Sequence, residues 1–261
     1  MNNKIKAVLI DVDDCFLPTN GEITDLFFAG LIDITRKILR IKTGTFAPKI
    51  GWCSGRDRNY IEAVSFFCGL PDSWSVIESG VALFNPTTKE MALNPALTTE
   101  VKTAFEIIRR ERLPQILDKF PDLFDYPGNM INIALERRYG AKISIEECFK
   151  EIESELKDLT AQGLATIHHS TIAIDISPAG IDKASGIQFL SQKTKINTKN
   201  ILGIGDSRGD FPMLNLVGYV GCPTNASKEC KELVRERNGY VSPYHNTFGV
   251  ADIIDHFCPD G

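Results

Sequence analysis

The hydrophobic positions of this chain fall into short apolar runs separated by stretches of helical period. Ala7-Val8-Leu9-Ile10 are four apolar residues in succession, after the alternating Lys4-Ile5-Lys6. Such a run predicts a strand buried on both faces, as a parallel sheet requires. Further strands are predicted over residues 48–53, 73–77, 201–204 and 219–221. Between them the period changes. Leu26, Phe27, Leu31, Ile34, Ile38 and Leu39 line one face of a predicted helix over 24–40. Asp57 is placed to cap a helix that runs towards Gly69. Residues 181–192 and 211–217 read as two more helices. Strands alternating with helices predict a parallel sheet with crossover helices.

The middle of the chain, residues 82–178, has another texture. Helices are predicted over 98–112 and 144–160, and short strands over 130–135, 164–168 and 171–176. This reads as a smaller α+β module inserted into the first pattern, which resumes after it.

Composition narrows the function classes. At 261 residues the chain suffices for one large domain or two smaller ones. A net charge of -5 argues against a general polyanion binder, so no nucleic-acid partner is expected. No apolar stretch approaches a membrane span, and the start Met1-Asn2-Asn3-Lys4-Ile5-Lys6 leads into too short an apolar run for a signal peptide. The seven Cys are odd in number and form no Cys-x-x-Cys pair, which points to a reduced, cytoplasmic setting. His168 and His169 are adjacent and would point apart in a strand, so they make no zinc site.

Four local patterns carry candidate chemistry. Asp11 and Asp13 follow the first strand with a spacing that sends both side chains to the same side of an extended chain. They would emerge at the strand's carboxyl end, where open α/β sheets bind ligands. One carboxylate can attack a phosphorus while the other handles a proton; a plain polar turn is the alternative. Gly205-Asp206-Ser207-Arg208-Gly209-Asp210 places two more carboxylates after a late strand, a donor set suited to Mg²⁺. Asp210 could equally cap the next helix. Ser54-Gly55-Arg56 joins a hydroxyl to the free N–H groups of a helix start, an anion pocket or simply a cap. Lys183 opens another helix and gains weight only in this company.

Taken in order, Asp-x-Asp, Ser, Lys and Gly-Asp-x-x-x-Asp resemble the four motifs of the haloacid dehalogenase superfamily of phosphohydrolases. The inserted module resembles that superfamily's type II, subtype B cap, as in Cof-like and sucrose-phosphatase-like phosphosugar phosphatases. Val76-Ile77-Glu78-Ser79-Gly80-Val81 and Asn225-Ala226 extend the likeness over the chain. The implied fold is α/β: a doubly wound, mainly parallel, Rossmann-like catalytic core from residues 1–81 and 179–261, and an α+β cap at 82–178 that governs specificity. The implied roles are Asp11 as nucleophile, Asp13 as general acid and then base, and Ser54, Gly55 and Lys183 as the phosphate pocket. Mg²⁺ would be held by Asp11, the backbone carbonyl of Asp13 and Asp206, with Asp210 in support. The implied substrate is a small phosphate monoester such as a sugar phosphate. A phosphotransferase or phosphomutase on the same scaffold, or a weakly active binding protein, are the alternatives. Cys15 stands where the family usually has Thr, and Gly209 where this subtype commonly has Asn. Around Tyr126-Pro127-Gly128-Asn129, Arg137, Arg138 and Lys142 the module is polar or basic, and these residues could face a substrate or only solvent.

Overall fold

The computed structural model describes residues 5–19, 23–42, 48–70, 72–170 and 172–259, with 41 and 42 described by backbone alone. The start at Met1–Lys4 and the first residue of the strand predicted over 171–176 lie outside them. The chain forms two compact units, one running to Asn94 and resuming at Asp182, the other Pro95–Ile181.

The first unit begins with β1 (Ala7–Ile10), α1 (Asp25–Lys42), β2 (Lys49–Trp52), α2 (Arg58–Cys68), β3 (Ser75–Ile77), β4 (Ala82–Phe84) and β5 (Met91–Leu93). The second contains α3 (Thr99–Ile107), α4 (Leu113–Lys119), β6 (Leu123–Asp125), β7 (Ile133–Arg137), α5 (Ile145–Glu155), α6 (Lys157–Ala161), β8 (Ala165–His169) and β9 (Ala173–Pro178). The first then resumes with α7 (Lys183–Thr194), β10 (Ile201–Ile204), α8 (Phe211–Leu216), β11 (Tyr219–Cys222), α9 (Lys228–Glu236), β12 (Tyr240–Val241) and α10 (Asn246–Phe257).

Five strands form a parallel sheet in the order β12-β11-β10-β1-β2. The apolar run that predicted β1 sits at its buried centre. Ala7 and Leu9 pack with Ile187 and Leu190 of α7, Met213 and Leu214 of α8 and Val234 of α9. Val8 and Ile10 point to the opposite face by the alternation of a strand. On that side α1 and α10 pack on one another, and Ile253 of α10 lies directly over Gly221 of β11. Helices thus cover both faces, the doubly wound arrangement expected.

The inserted unit is a four-stranded antiparallel sheet, β6-β7-β9-β8, with α5 across β8 and β9. Ile133, Leu135, Ile174 and Ile176 are fully buried along one face of it. The helix predicted over 98–112 runs further, through a π-helical segment Ile108–Arg112 into α4. Pro114 in the first turn of α4 offers no N–H to the preceding helix, and the wider turn absorbs the missing bond. The helix predicted over 144–160 breaks at Leu156, whose φ of -105° and ψ of 12° are not helical.

The boundary of the insertion also differs from the expectation of 82–178. β4 pairs with β3, and β5 with β4, so residues 82–94 belong to the unit that holds the parallel sheet. The Asn94 side chain donates to Gly80 O (2.9 Å) and fixes the exit point. On return, Ala179 donates its N–H to Leu164 O (3.2 Å), which keeps 179–181 with the inserted sheet. Backbone pairing, not hydrophobic pattern, sets both boundaries.

One close approach positions α7. Gly80 has φ of +107°, and a Cβ there would lie 2.1 Å from Asp182 O. A Cβ on Gly186 would lie 2.6 Å from Gly80 Cα. The amino end of α7 therefore sits flush on the turn at 78–80. Gly186→Ala forces this contact apart and is expected to cost about 1–3 kcal/mol, read from the urea unfolding midpoint. An unchanged midpoint would show that α7 shifts freely.

Candidate active site

Asp11 extends the β1 ladder by one rung: its N–H donates to Ile204 O of β10 at 2.9 Å. This holds its carboxylate at the carboxyl end of the sheet. The chain then turns, with Val12 O accepting from the N–H groups of Phe16 and Leu17. Asp14 in this turn has φ of +56°. Its carbonyl accepts from Asn225 (2.6 Å) and Asn246 (2.8 Å), and its carboxylate accepts from the Thr19 hydroxyl (2.6 Å).

Lys183 brings the distant motifs together. Its Nζ donates to Asp11 Oδ1 at 2.7 Å and to Asp210 Oδ1 at 2.6 Å, and all three groups are buried. Asp182 caps α7 through a reciprocal bond with Ser185, which fixes the first turn that carries Lys183. Asp210 ends a short 3₁₀ turn, and its other oxygen accepts the N–H groups of Asp206 (2.9 Å) and Ser207 (3.1 Å). The carboxylate fits because residue 205 is glycine; a Cβ there would lie 2.4 Å from Asp210 Cγ. Asp210 therefore supports the loop and the lysine, and does not cap α8 by a side-chain bond.

Asp206 is different. It is buried, and its Oδ1 has no hydrogen-bond partner. Carboxylate oxygens of Asp11, Asp206 and Asp210 lie within 4.8 Å of one another. Burial, then repulsion from Asp210, pushes the Asp11 carboxyl up to about 7, although Lys183 opposes the shift. Burial and repulsion from Asp11 and Asp210 push Asp206 up to about 8. Burial alone would lower the Lys183 ammonium, but Asp11 and Asp210 hold it well above its ordinary value. Three carboxylates lie together around one ammonium, and one of the three, Asp206, has an oxygen without a hydrogen-bond partner. A hard divalent cation fits this donor set: it would take the unpartnered oxygen and balance the excess negative charge. Among the described residues this is the only group of His, Cys, Asp and Glu with metal-ligand spacing. A cavity of about 410 Å³ opens beside Asp206, lined by Ser207, Asn225, Ser227 and His245 among others.

Asp13 is not in that group. The Asp11 and Asp13 carboxylates are close enough to repel one another, and each has its own cation. Asp13 accepts from Arg56 Nε (2.9 Å), Arg56 Nη2 (3.3 Å) and the Tyr60 hydroxyl (3.2 Å). The guanidinium also lies over the Tyr60 ring, 5.3 Å from its centroid. Sequence reasoning gave Arg56 no role and missed Tyr60. Arg56 precedes the α2 cap Asp57 and Tyr60 lies in the first turn of α2, so no helical period linked them in the sequence. Ser54 is buried at the end of β2, next to β1, and its Oγ accepts the Arg56 N–H at 3.1 Å. Gly55 is exposed, and a Cβ there would lie 3.3 Å from Ser79 Oγ. Cys15 is fully buried, its thiol pushed up first by burial and then by Asp206, Asp11 and Asp210. It is a neutral core residue beneath the carboxylates.

In the inserted unit, Arg109 pins the loop that holds Tyr126 to Asn129. It donates to Asp125 Oδ2 (2.9 Å) and to Asn132 O (2.6 Å). Sequence reasoning missed Arg109, which lies inside a helical run. Arg138 is spent on Pro121 O (3.0 Å) and on the face of Phe124.

A model of the haloacid dehalogenase-like hydrolase family matches residues 87–254, a stretch that includes Lys183, Asp206 and Asp210. The chain is 38% identical over 84 residues to a phosphoglycolate phosphatase of Methanothrix thermoacetophila, covering 32% of this chain and 36% of that protein. It thus spans well under two thirds of that curated relative. A haloacid dehalogenase-like hydrolase from Bacteroides thetaiotaomicron superposes with a TM-score of 0.70 at 18% identity, covering 97% of this chain and 99% of the other. The sucrose-phosphatase of Synechocystis sp. PCC6803, solved with sucrose and phosphate, superposes with a TM-score of 0.66 at 18% identity, covering 97% and 98%. At these identities the structures show a shared fold.

The carboxylate group predicts linkage between stability and a divalent cation. Mg²⁺ at a hundredfold excess over its Kd should stabilise the fold by about 2.7 kcal/mol, seen as a rise in Tm. Asp206→Asn removes a ligand charge and should abolish most of that rise. An equal rise in the variant would place the cation elsewhere.

Proposed function

The chain belongs to the haloacid dehalogenase-like hydrolase family, and from that premise we propose that it is a Mg²⁺-dependent phosphomonoester hydrolase working through an aspartyl-phosphate on Asp11. The observation that carries this reading is the buried Asp11–Lys183–Asp210 bridge beside the unpartnered oxygen of Asp206. Lys183 holds Asp11 Oδ1 and leaves the second carboxylate oxygen for the phosphorus. Ser54, the N–H groups around Gly55 and the Lys183 ammonium would receive the phosphoryl oxygens. Mg²⁺, held by Asp11, Asp206 and the Asp13 carbonyl, would offset repulsion between the carboxylate and the phosphate.

Asp11 attacks the phosphorus, the bond from phosphorus to the leaving oxygen breaks, and Asp13 gives that oxygen its proton. Asp13 then takes a proton from a water as the water attacks the aspartyl-phosphate. The bond between phosphorus and Asp11 breaks, orthophosphate leaves, and both side chains return to their starting forms. Arg56 and Tyr60 hold the Asp13 carboxylate for this work. Cys15 is buried within electrostatic reach of Asp11 and Asp206 and Gly209 is exposed, and neither supplies a group that the reaction uses.

The substrate class follows the same reading: a small organic phosphate, with a sugar phosphate favoured. A sucrose-phosphatase shares the fold, and a phosphoglycolate phosphatase shares sequence. The unit Pro95–Ile181 would act as the cap that selects the leaving group. The seven cysteines are all buried and unbridged, which suits a reducing, cytoplasmic setting. No helix among the described residues is long and apolar enough to cross a membrane.

A panel of sugar phosphates, phosphoglycolate and p-nitrophenyl phosphate, assayed with and without Mg²⁺, tests the reading. The wild type should release phosphate only with the metal. Asp11→Asn should lower release by ~10⁴-fold or more without lowering Tm. Near-normal turnover by that variant would exclude the aspartyl-phosphate.

Asp13 generates a separate expectation. Asp13→Asn should lower kcat by about 10²–10⁴-fold for a sugar phosphate, whose alkoxide needs a proton, and by much less for p-nitrophenyl phosphate. Tyr60→Phe should show the same bias in weaker form. Equal losses with both leaving groups would remove Asp13 from the acid role.

A further inference from the structure

Helix α1 carries two apolar faces, and its packing within the chain uses one. Gly30, Ile34 and Ile38 turn inward and are buried. Gly30 lies so close to α10 that a Cβ there would be 2.4 Å from Phe248 N. Lys37, on the same side, is buried between Asp33 (2.7 Å) and Asp255 of α10 (2.8 Å). The inner face is therefore fully engaged.

The opposite stripe is Asp25, Phe28, Ile32, Arg36 and Leu39. Its spacings of three and four put these residues on one side of the helix. Phe28 and Ile32 are each 53% exposed, Leu39 54%, and Ile23 just before the helix 63%. The neighbouring α2 adds Phe66 at 88% and Phe67 at 64%. A helix that is apolar on opposite faces is one that packs on both. Exposed apolar residues repeated along one stripe of a helix mark an interaction surface.

The charges along the stripe identify the partner. Asp25 lies at its amino end and Arg36 towards its carboxyl end. A two-fold axis between Ala29 and Ile32 sets two copies of α1 antiparallel. Asp25 of each copy then faces Arg36 of the other, and both pairs form at once. Ala29 faces Ile32 across the axis, and its small side chain lets the helices close. Ile23 meets Leu39. A parallel pairing would instead oppose Asp25 to Asp25 and Arg36 to Arg36.

We propose that this face of α1 is a homodimer interface, formed by antiparallel α1–α1 pairing. It is independent of the catalytic reading, because none of its residues touches Asp11, Asp13, Lys183 or Asp206.

Sedimentation velocity over about 1–100 μM, the range where an interface of modest size dissociates, tests it. The wild type should pass from 29.0 kDa towards twice that mass. Ile32→Glu sets two carboxylates beside the axis and should raise the dissociation constant at least tenfold, with the thermal melt of the chain unchanged. Asp25→Arg and Arg36→Asp should each weaken the dimer by roughly fivefold, and the double variant should restore it. A wild type that stays at 29.0 kDa throughout would overturn the proposal and leave the face to a different protein. So would an Ile32→Glu dimer as tight as wild type, or a double variant no tighter than the singles.

Discussion

The ammonium of Lys183 is the group on which the rest of the site depends. It is buried and lies 2.7 Å from Asp11 and 2.6 Å from Asp210. Without it, Asp11 and Asp210 would be uncompensated charges in the interior, which is far costlier than losing a surface pair. A buried bridge of this kind seldom stabilises a fold more than apolar side chains of the same volume would. Its value lies in holding one carboxylate in a fixed place and orientation. The surrounding structure is built to deliver that lysine: the tight seat of α7 on Gly80, the cap at Asp182 and the glycine at 205 that admits Asp210.

Two aspartates four positions apart in one loop are given different tasks by their surroundings. Asp210 is fully committed, one oxygen to Lys183 and the other to two backbone N–H groups. Asp206 has an oxygen with no partner beside an open cavity. The committed carboxylate is structural in function and the uncommitted one is available to a ligand. The same logic separates Asp11 from Asp13, because Lys183 takes the first while Arg56 and Tyr60 take the second. Each carboxylate is thereby held in place by a cation of its own.

How much of this was legible in the sequence depended on how local its cause is. β1, the Asp57 cap and the end of α2 at Gly69 come from short patterns whose physics lies within a few residues. The core motifs were legible because their residue types and order are restrictive. The pairing of Asp13 with Arg56 and Tyr60 was not, since 43 and 47 positions separate them and any basic residue near a turn reads as solvated. The insertion boundary was misjudged because β4 and β5 are short and pair by backbone bonds, which leave no side-chain period. The apolar pattern of α1 was read as one face containing Leu26 and Leu39. In the structure Ile34 and Ile38 are buried while Leu26 and Leu39 are exposed, because the helix is apolar around more of its girth than one packing partner covers.

The turn after β2 ties Ser54 to the partner of Asp13. Ser54 and Arg56 are two residues apart, and the Arg56 N–H donates to Ser54 Oγ while its side chain grips Asp13. Asp57 caps α2 one residue later, so the segment is anchored at both ends by side chains that accept backbone N–H groups. A displacement of the Ser54 hydroxyl therefore moves the partner of Asp13 with it. Under the proposed reaction this couples the phosphoryl pocket and the acid–base group into one rigid piece. In that reading every group in the piece would act on the phosphoryl group or the bond being broken, which all phosphate monoesters share. A contact made equally to every substrate cannot rank them. Discrimination among leaving groups must come from side chains outside this piece, and a core so fixed leaves that choice free to change without disturbing the chemistry.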